Sequence, residues 1–210
     1  MKRVVVTGIG AITPIGNTIP DYLHGLQNGV SGANTITRFD ATLFKTRFAC
    51  EVKDFNPDIA IDRKEARRLD LYSQFAMVAV QEAMKMANFD LTKLNLETAG
   101  VIFGSGVGGL TTLESEVVEF AKGNGTPRYN PFLIPKMISN IAAGMIAMKY
   151  GFRGVNYATV SACATANHAI INACDIIRLG KAKVVITGGS EAVVIATGIG
   201  GFNAMKAMSE

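Results

Sequence analysis

The sequence predicts an α/β fold, and three observations carry that prediction. Three segments, "RVVVTGIG" (Arg3–Gly10), "AGVIFGSGVGG" (Ala99–Gly109) and "KVVITGGSE" (Lys183–Glu191), share one design, a β-branched apolar run that ends in glycines. Such runs read as buried parallel strands with tight turns at their C-terminal ends. Stretches of helical periodicity lie between them, and strands alternating with helices argue for stacked layers. Two of those helices, "SQFAMVAVQEAMKMA" and "ATANHAIINACDII", are apolar around most of their circumference, which calls for burial between layers.

In chain order, the first strand is followed by a short amphipathic helix, Asp21–Asn28, which carries His24 beside Tyr22 and Gln27 in a setting that suggests no catalysis. Further helices are expected over Leu69–Asn88, Leu110–Lys122, Ile138–Tyr150 and Ala164–Leu179, the last closed by Gly180 as a C-cap. The segments at about 29–64 and 123–135 hold most of the Pro, Asn, Asp and aromatic residues with weak periodicity, as loops or small caps over a core do. No linker divides the chain, so residues 1–210 read as one unit. The closing "GFNAMKAMSE" lacks a polar tail, cap or turn, and reads as a chain breaking off inside an element.

Hydrophobic residues make up 49% of the 210 and charged residues only 18%, an apolar balance that suggests contact with a further half or another chain. Charged residues interrupt every apolar run before it reaches membrane-spanning length, and the start lacks a signal-peptide core, so a cytoplasmic protein with no membrane partner is expected. Cys50, Cys163 and Cys174 are odd in number and have no His or Cys at zinc-ligand intervals, so neither a disulfide framework nor a metal site is expected. The formal charge of +4 is too small and too scattered to imply nucleic acid.

"TVSACATANHA" (Thr159–Ala169) places Cys163 at or near a helix N-terminus, where unsatisfied N–H groups and the macrodipole favour an anion. The thiolate is the reactive form of cysteine, and the small flanks Ala162 and Ala164 leave room for a substrate carbonyl. Cysteine also packs as a small buried hydrophobe, so position alone leaves nucleophile and packing both open. Cys174, mid-helix among Ile and Ala, reads as packing. His168 lies five residues further on, a rotation of about 140° on a helix, which takes it off the Cys163 face and makes it a structural histidine.

"GSGVGG" (Gly104–Gly109) satisfies the dinucleotide pattern G-x-G-x-x-G, but it stands near residue 100 and no second strand ending in an acid follows. Close backbone packing beside the Cys163 loop accounts for these glycines better. In "DRKEARRLD" (Asp62–Asp70), Lys64, Arg67 and Arg68 would share one helical face at i, i+3 and i+4. A solvated surface and a docking patch for an acidic protein both fit that pattern.

Taken together, "RVVVTGIGAITPIGN", "FGSGVGGL", "VSACATANHAI" and "ITGGSEAVV…GIGGFNAMKAMS" resemble, in order and at family-like spacing, the β-ketoacyl-acyl carrier protein synthases of the thiolase superfamily, the elongating type in particular. The resemblance implies a thiolase-like layered α/β/α/β/α fold, of which this chain would supply roughly the N-terminal half, since family members are about twice as long. It also implies a homodimeric enzyme of fatty-acid elongation with no resident cofactor, whose substrates arrive on the phosphopantetheine arm of acyl carrier protein. Cys163 would take the acyl group as a thioester, and the carbanion from decarboxylating malonyl-carrier protein would then attack it.

Carried over position by position, the resemblance puts the gate and acyl pocket at Val107, Ala162, Val193, Gly198 and Phe202. It puts the docking cations at Lys64, Arg67, Arg68 and Lys206, and the partner's closure of the pocket at Phe132, Leu133 and Ile134. The Val193 side chain is bulkier than the family's usual residue there and would narrow the pocket. The two histidines, the lysine and the Phe-Gly loop that the resemblance requires for decarboxylation are not in this chain, which would therefore be inactive alone. Two other readings keep the same fold: a thiolase-type acyl-CoA enzyme, and a non-catalytic subunit that sets chain length, which usually lacks the cysteine.

Overall fold

The computed structural model of the chain describes residues 3–210. Helix α1 (Ile19–Gln27) starts at Thr18, whose hydroxyl accepts the Asp21 N–H at 3.2 Å. Strands β1 (Ala33–Thr35) and β2 (Phe48–Cys50) form an antiparallel pair within the first cap, and the four-residue helix α2 (Arg63–Ala66) follows. Helix α3 (Leu71–Ala87) is capped by Asp70 and ends where Asn88 turns left-handed. Next come strand β3 (Ala99–Gly104), helix α4 (Leu110–Lys122), the short helix α5 (Leu133–Met137) and helix α6 (Ile141–Tyr150). Strand β4 (Asn156–Tyr157), helix α7 (Thr165–Arg178), strand β5 (Val184–Gly189) and helix α8 (Ala196–Ala204) complete the order.

β3 pairs parallel with both β4 and β5, giving the order β4-β3-β5. Every residue of β3 is buried, because a layer of helix covers each face. Val101 and Phe103 point into the main core with Tyr72, Ala76 and Met77 of α3 and Ala142, Ala143 and Ile146 of α6. Ile102 points the other way, against Ala169 and Ala173 of α7. The period-2 alternation of the strand thus assigns its side chains to opposite layers.

The structure departs from the sequence expectations in several places. Arg3–Gly10 joins no ladder among the described residues. Its contacts are with the helix beside it: a Cβ at Gly8 or Gly10 would collide with the Ala83 or Ala79 carbonyl, and the Ala11 N–H donates to Glu82 Oε2 at 3.0 Å. β-branched composition favours an extended chain, but a strand also needs a neighbouring backbone. Helix α3 is buried on several sides as expected, whereas α7 is not: Ile170 and Ile171 on its outer face are exposed, since nothing in the described chain covers that side. α8 and the β1–β2 pair were not anticipated. No helix among the described residues is long and apolar enough to cross a membrane.

Candidate active site

After β4 the chain passes Thr159 and Ser161, makes one 3₁₀ turn over Ala162–Ala164 and enters α7. Cys163 therefore sits two residues ahead of a 14-residue helix, and it is exposed. Ala162 has φ +49°, a left-handed conformation that costs a non-glycine residue roughly 1–2 kcal/mol. Thr165, buried at the start of α7, accepts the Ser161 N–H on its hydroxyl at 2.9 Å, and its own carbonyl accepts from the Thr159 hydroxyl at 3.0 Å. His168 is hydrogen-bonded, as a structural histidine should be, and its partner is Ser161: Nδ1 lies 2.6 Å from the hydroxyl.

The loop Ser105–Gly109, between β3 and α4, comes up against this turn. A Cβ on Gly106 would stand 3.5 Å from the Ala162 carbonyl oxygen and 3.6 Å from its Cα, which measures how closely the two backbones approach. The loop is organised by Glu191, just past the end of β5. One Glu191 oxygen accepts from the Ser105 hydroxyl at 2.8 Å and the other from the Gly106 N–H at 2.7 Å, while the Gly108 N–H donates to the Ser105 hydroxyl at 2.9 Å. A carboxylate thus already occupies the place that a phosphate would take in a dinucleotide loop. Gly108 has φ +72° and its backbone lies against Met137, so close packing accounts for the glycines.

Val107 stands exposed in this loop beside the Ala162–Cys163 turn. The other three pocket positions lie on the segment that follows β5. Val193 is half-buried, and its carbonyl comes so close to Gly198 that no side chain fits there. Phe202, on α8, is exposed. The segment is tied to α4, with the Thr197 N–H donating to Glu114 and the Thr111 hydroxyl to the Ala192 carbonyl. It is tied to the first cap through Asn203, whose amide donates to the Thr46 hydroxyl at 2.8 Å. The described contacts bring the glycine loop that carries Val107 against Ala162 through Gly106, and tie α8, which carries Gly198 and Phe202, to the cap through Asn203.

The basic run is less regular than its spacing suggested. Only Arg63–Ala66 is α-helical, and the Arg68 and Leu69 N–H groups bond three residues back, to Glu65 and Ala66. The three cations are all exposed, but Lys64 and Arg68 line a cleft of about 470 Å³ with Asp62, Glu65, Phe132 and Met148, and Arg67 does not. The Arg68 guanidinium lies over the Phe132 ring, 4.9 Å from its centroid. Leu133 and Ile134 open α5 next to Phe132, with Ile134 exposed. Lys206 stands on the turn that ends α8, itself left-handed at φ 55°.

Sequence reasoning passed over two residues beneath the site. Asp70 caps α3 and also reaches α4, accepting the Thr112 N–H at 2.9 Å and its hydroxyl at 2.6 Å. Tyr72 donates to the Ile138 carbonyl at 2.7 Å, and its phenol is pushed up to about 12 by burial first, with the charges of Asp70 and Glu191 adding to it. The aspartate could have been found as an N-cap ahead of an apolar run, but its bond to Thr112 spans 42 residues and leaves no local signal.

The family profile described as "Beta-ketoacyl synthase, N-terminal domain" matches residues 1–210. A similar curated protein is the 3-oxoacyl-[acyl-carrier-protein] synthase 2 of Synechocystis sp., 45% identical over 99% of this chain and 50% of its own length. The protein of the same name from Staphylococcus aureus is 41% identical, also over 99% and 50%. The chain thus spans about half the length of these curated relatives. Among solved structures, a type II polyketide acyl-carrier protein in complex with its ketosynthase covers the whole chain with a TM-score of 0.83 at 25% identity, the chain matching 56% of that one.

Proposed function

Since the chain belongs to the β-ketoacyl synthase family and has its thiolase-like fold, we propose that it carries the acyl-accepting cysteine of a cytoplasmic 3-oxoacyl-acyl carrier protein synthase of fatty-acid elongation. The observation that carries the reading is the presentation of Cys163, exposed at the entrance to a long helix with the glycine loop backed against its turn. In the proposed reaction the Cys163 thiolate attacks the thioester carbonyl of an acyl-carrier protein, and the phosphopantetheine thiol leaves with the carrier. Malonyl-carrier protein then loses carbon dioxide, its carbanion attacks the Cys163 thioester, and the 3-oxoacyl carrier departs as the Cys163 sulfur is released. The backbone N–H of Cys163 serves in the oxyanion hole of both steps.

The reading takes the arm of the carrier as the only prosthetic group, with none resident in the protein. The carrier docks on the Lys64 and Arg68 side, where these two exposed cations share the cleft rim with Asp62 and Glu65, and steering by Arg67 and Lys206 assists. A carrier protein bound to a ketosynthase in a similar structure supports that partner. Val107, Ala162, Val193, Gly198 and Phe202 shape the acyl site, which a second copy completes at Phe132–Ile134. A thiolase-type acyl-CoA reaction would not need the Lys64, Arg67 and Arg68 cations, and a non-catalytic subunit would have no use for Cys163.

Mass spectrometry after incubation with acyl-carrier protein tests the reading. An acyl adduct is expected on Cys163 and on neither Cys50 nor Cys174. Labelling of Cys50 in preference to Cys163, or acylation by acyl-CoA as fast as by acyl-carrier protein, would refute it.

A further inference from the structure

A non-glycine residue in the left-handed region persists only where its surroundings over-determine it. Ala162, at φ +49°, has no side chain by which it could be held, and no side chain caps the turn it begins. Its carbonyl accepts the Thr165 N–H that closes the turn, and the remaining restraint acts on its neighbours. Ser161 is held at three atoms: its carbonyl accepts the Ala164 N–H at 3.1 Å within the turn, its N–H donates to the Thr165 hydroxyl at 2.9 Å, and its own hydroxyl lies 2.6 Å from His168 Nδ1. The two side-chain bonds tie the residue to α7 on top of the backbone bond within the turn.

Both holding residues come from the first turn of α7, three positions apart and so on one face. That turn is itself anchored, since Thr165 and Ala169 are buried against the sheet and the Thr165 carbonyl accepts from Thr159. The same helical position that turns His168 away from Cys163 brings it over Ser161.

We propose that Thr165 and His168 clamp Ser161 so as to hold the Cys163 turn in its left-handed, sulfur-exposed form, and that His168 is a positioning residue for the nucleophile. The inference rests on the reading of Cys163 as the acylated residue. His168 exchanges no proton with the sulfur; it fixes the residue two places before it. Without the clamp, Ala162 relaxes out of the left-handed region and the thiol leaves its place ahead of the α7 N-terminus.

The test uses iodoacetamide, a small neutral electrophile, on the native protein that carries this chain, with alkylation rates followed peptide by peptide. Exposed Cys50 serves as the internal reference. His168→Leu and Ser161→Ala should each slow alkylation of Cys163 about tenfold while leaving Cys50 unchanged, and the double variant should be no slower than either alone. His168→Asn, whose amide falls near the position of Nδ1, should recover the wild-type rate to within about twofold, and His168→Gln, whose amide falls near Nε2, should not. A general structural role would not separate Asn from Gln. If His168→Leu fails to fold, Ser161→Ala and the Asn and Gln variants decide the matter.

The clamp is overturned by a Cys163 rate equal to or above wild type in either single variant, by independent effects that multiply in the double, or by equal rescue with Gln and Asn. Parallel slowing of Cys50 also overturns it. Wild-type protein in which Cys50 reacts and Cys163 does not would overturn the assignment of the nucleophile as well, which tells the two failures apart.

Discussion

Asp70→Ala is expected to cost about 3–5 kcal/mol of stability, a large figure for one side chain at the edge of a core. The carboxylate is 3% exposed and takes part in three hydrogen bonds: the Tyr72 N–H at 3.2 Å, the Thr112 N–H at 2.9 Å and the Thr112 hydroxyl at 2.6 Å. Loss of the cap on α3 contributes about 0.5–2 kcal/mol. The two Thr112 donors are then left buried without a partner, at about 1–3 kcal/mol each where water cannot reach them, and partial relaxation brings the total into the stated range. Asp70→Asn keeps one acceptor oxygen and should cost about half as much. Thr112→Val removes one donor with its partner still ionised and should cost about 1–2 kcal/mol. In the double variant Asp70→Ala/Thr112→Val the orphaned hydroxyl no longer exists, so its cost should fall short of the sum of the singles by about 1 kcal/mol or more. Urea unfolding followed by far-UV circular dichroism, with the slope m unchanged, measures all four. A loss under about 1 kcal/mol for Asp70→Ala, or additivity within about 0.3 kcal/mol in the double, would refute the reasoning.

Two shorter predictions concern alkaline pH and carrier docking. The Tyr72 phenol is raised from 10.0 to about 12 by burial, so its contribution to stability is fully present below pH 10 and is lost as pH rises through 12, on the order of 2–3 kcal/mol in all. Tyr72→Phe should flatten that alkaline limb in a series of urea titrations, and an unaltered limb would assign the loss to other groups. For docking, Lys64→Glu and Arg68→Glu should each weaken binding of acyl-carrier protein about tenfold at low salt and reduce its salt dependence, chiefly through the association rate. Arg67→Glu, outside the cleft, should do less, and equal effects at all three positions would assign docking to general charge instead of the cleft.

How much of this could be read from the sequence depends on whether the signal was local. Helix ends were legible because their stop signals lie within the same few residues: Gly151 and Gly180 sit left-handed just beyond α6 and α7, and α4 runs over the residues its pattern marks out, Leu110–Lys122. The β1–β2 pair was not, since strands of three residues have no usable period and their partner lies across an intervening loop. α8 contains Gly198, Gly200 and Gly201, each costing a helix about 1 kcal/mol, and it forms because tertiary bonds from Glu114 and Thr46 hold its ends. Arg3–Gly10 shows the converse, a strong strand composition without a ladder. At the site, the cysteine turn was visible as a run of small residues before a helix. The partner of His168 could not be read, because Ser161 lies outside the helix.

The loops that meet at Cys163 cannot be held by hydrophobic packing, because Gly104–Gly109, Ala162–Ala164 and Gly188–Gly189 offer almost no apolar side chain to bury. Carboxylates take over that task. Asp70 joins α3 to α4, Glu191 joins the end of β5 to the glycine loop, Glu114 joins α4 to α8, and Glu82 holds the Ala11 and Ile19 N–H groups against α3. Each accepts backbone N–H groups that begin a turn or a helix, where orphan donors and the helix dipole favour a negative charge. Around Cys163, Glu191 is hydrogen-bonded by Ser105 and Gly106, and His168 by Ser161. This arrangement is suited to holding a nucleophile and receiving an acyl group.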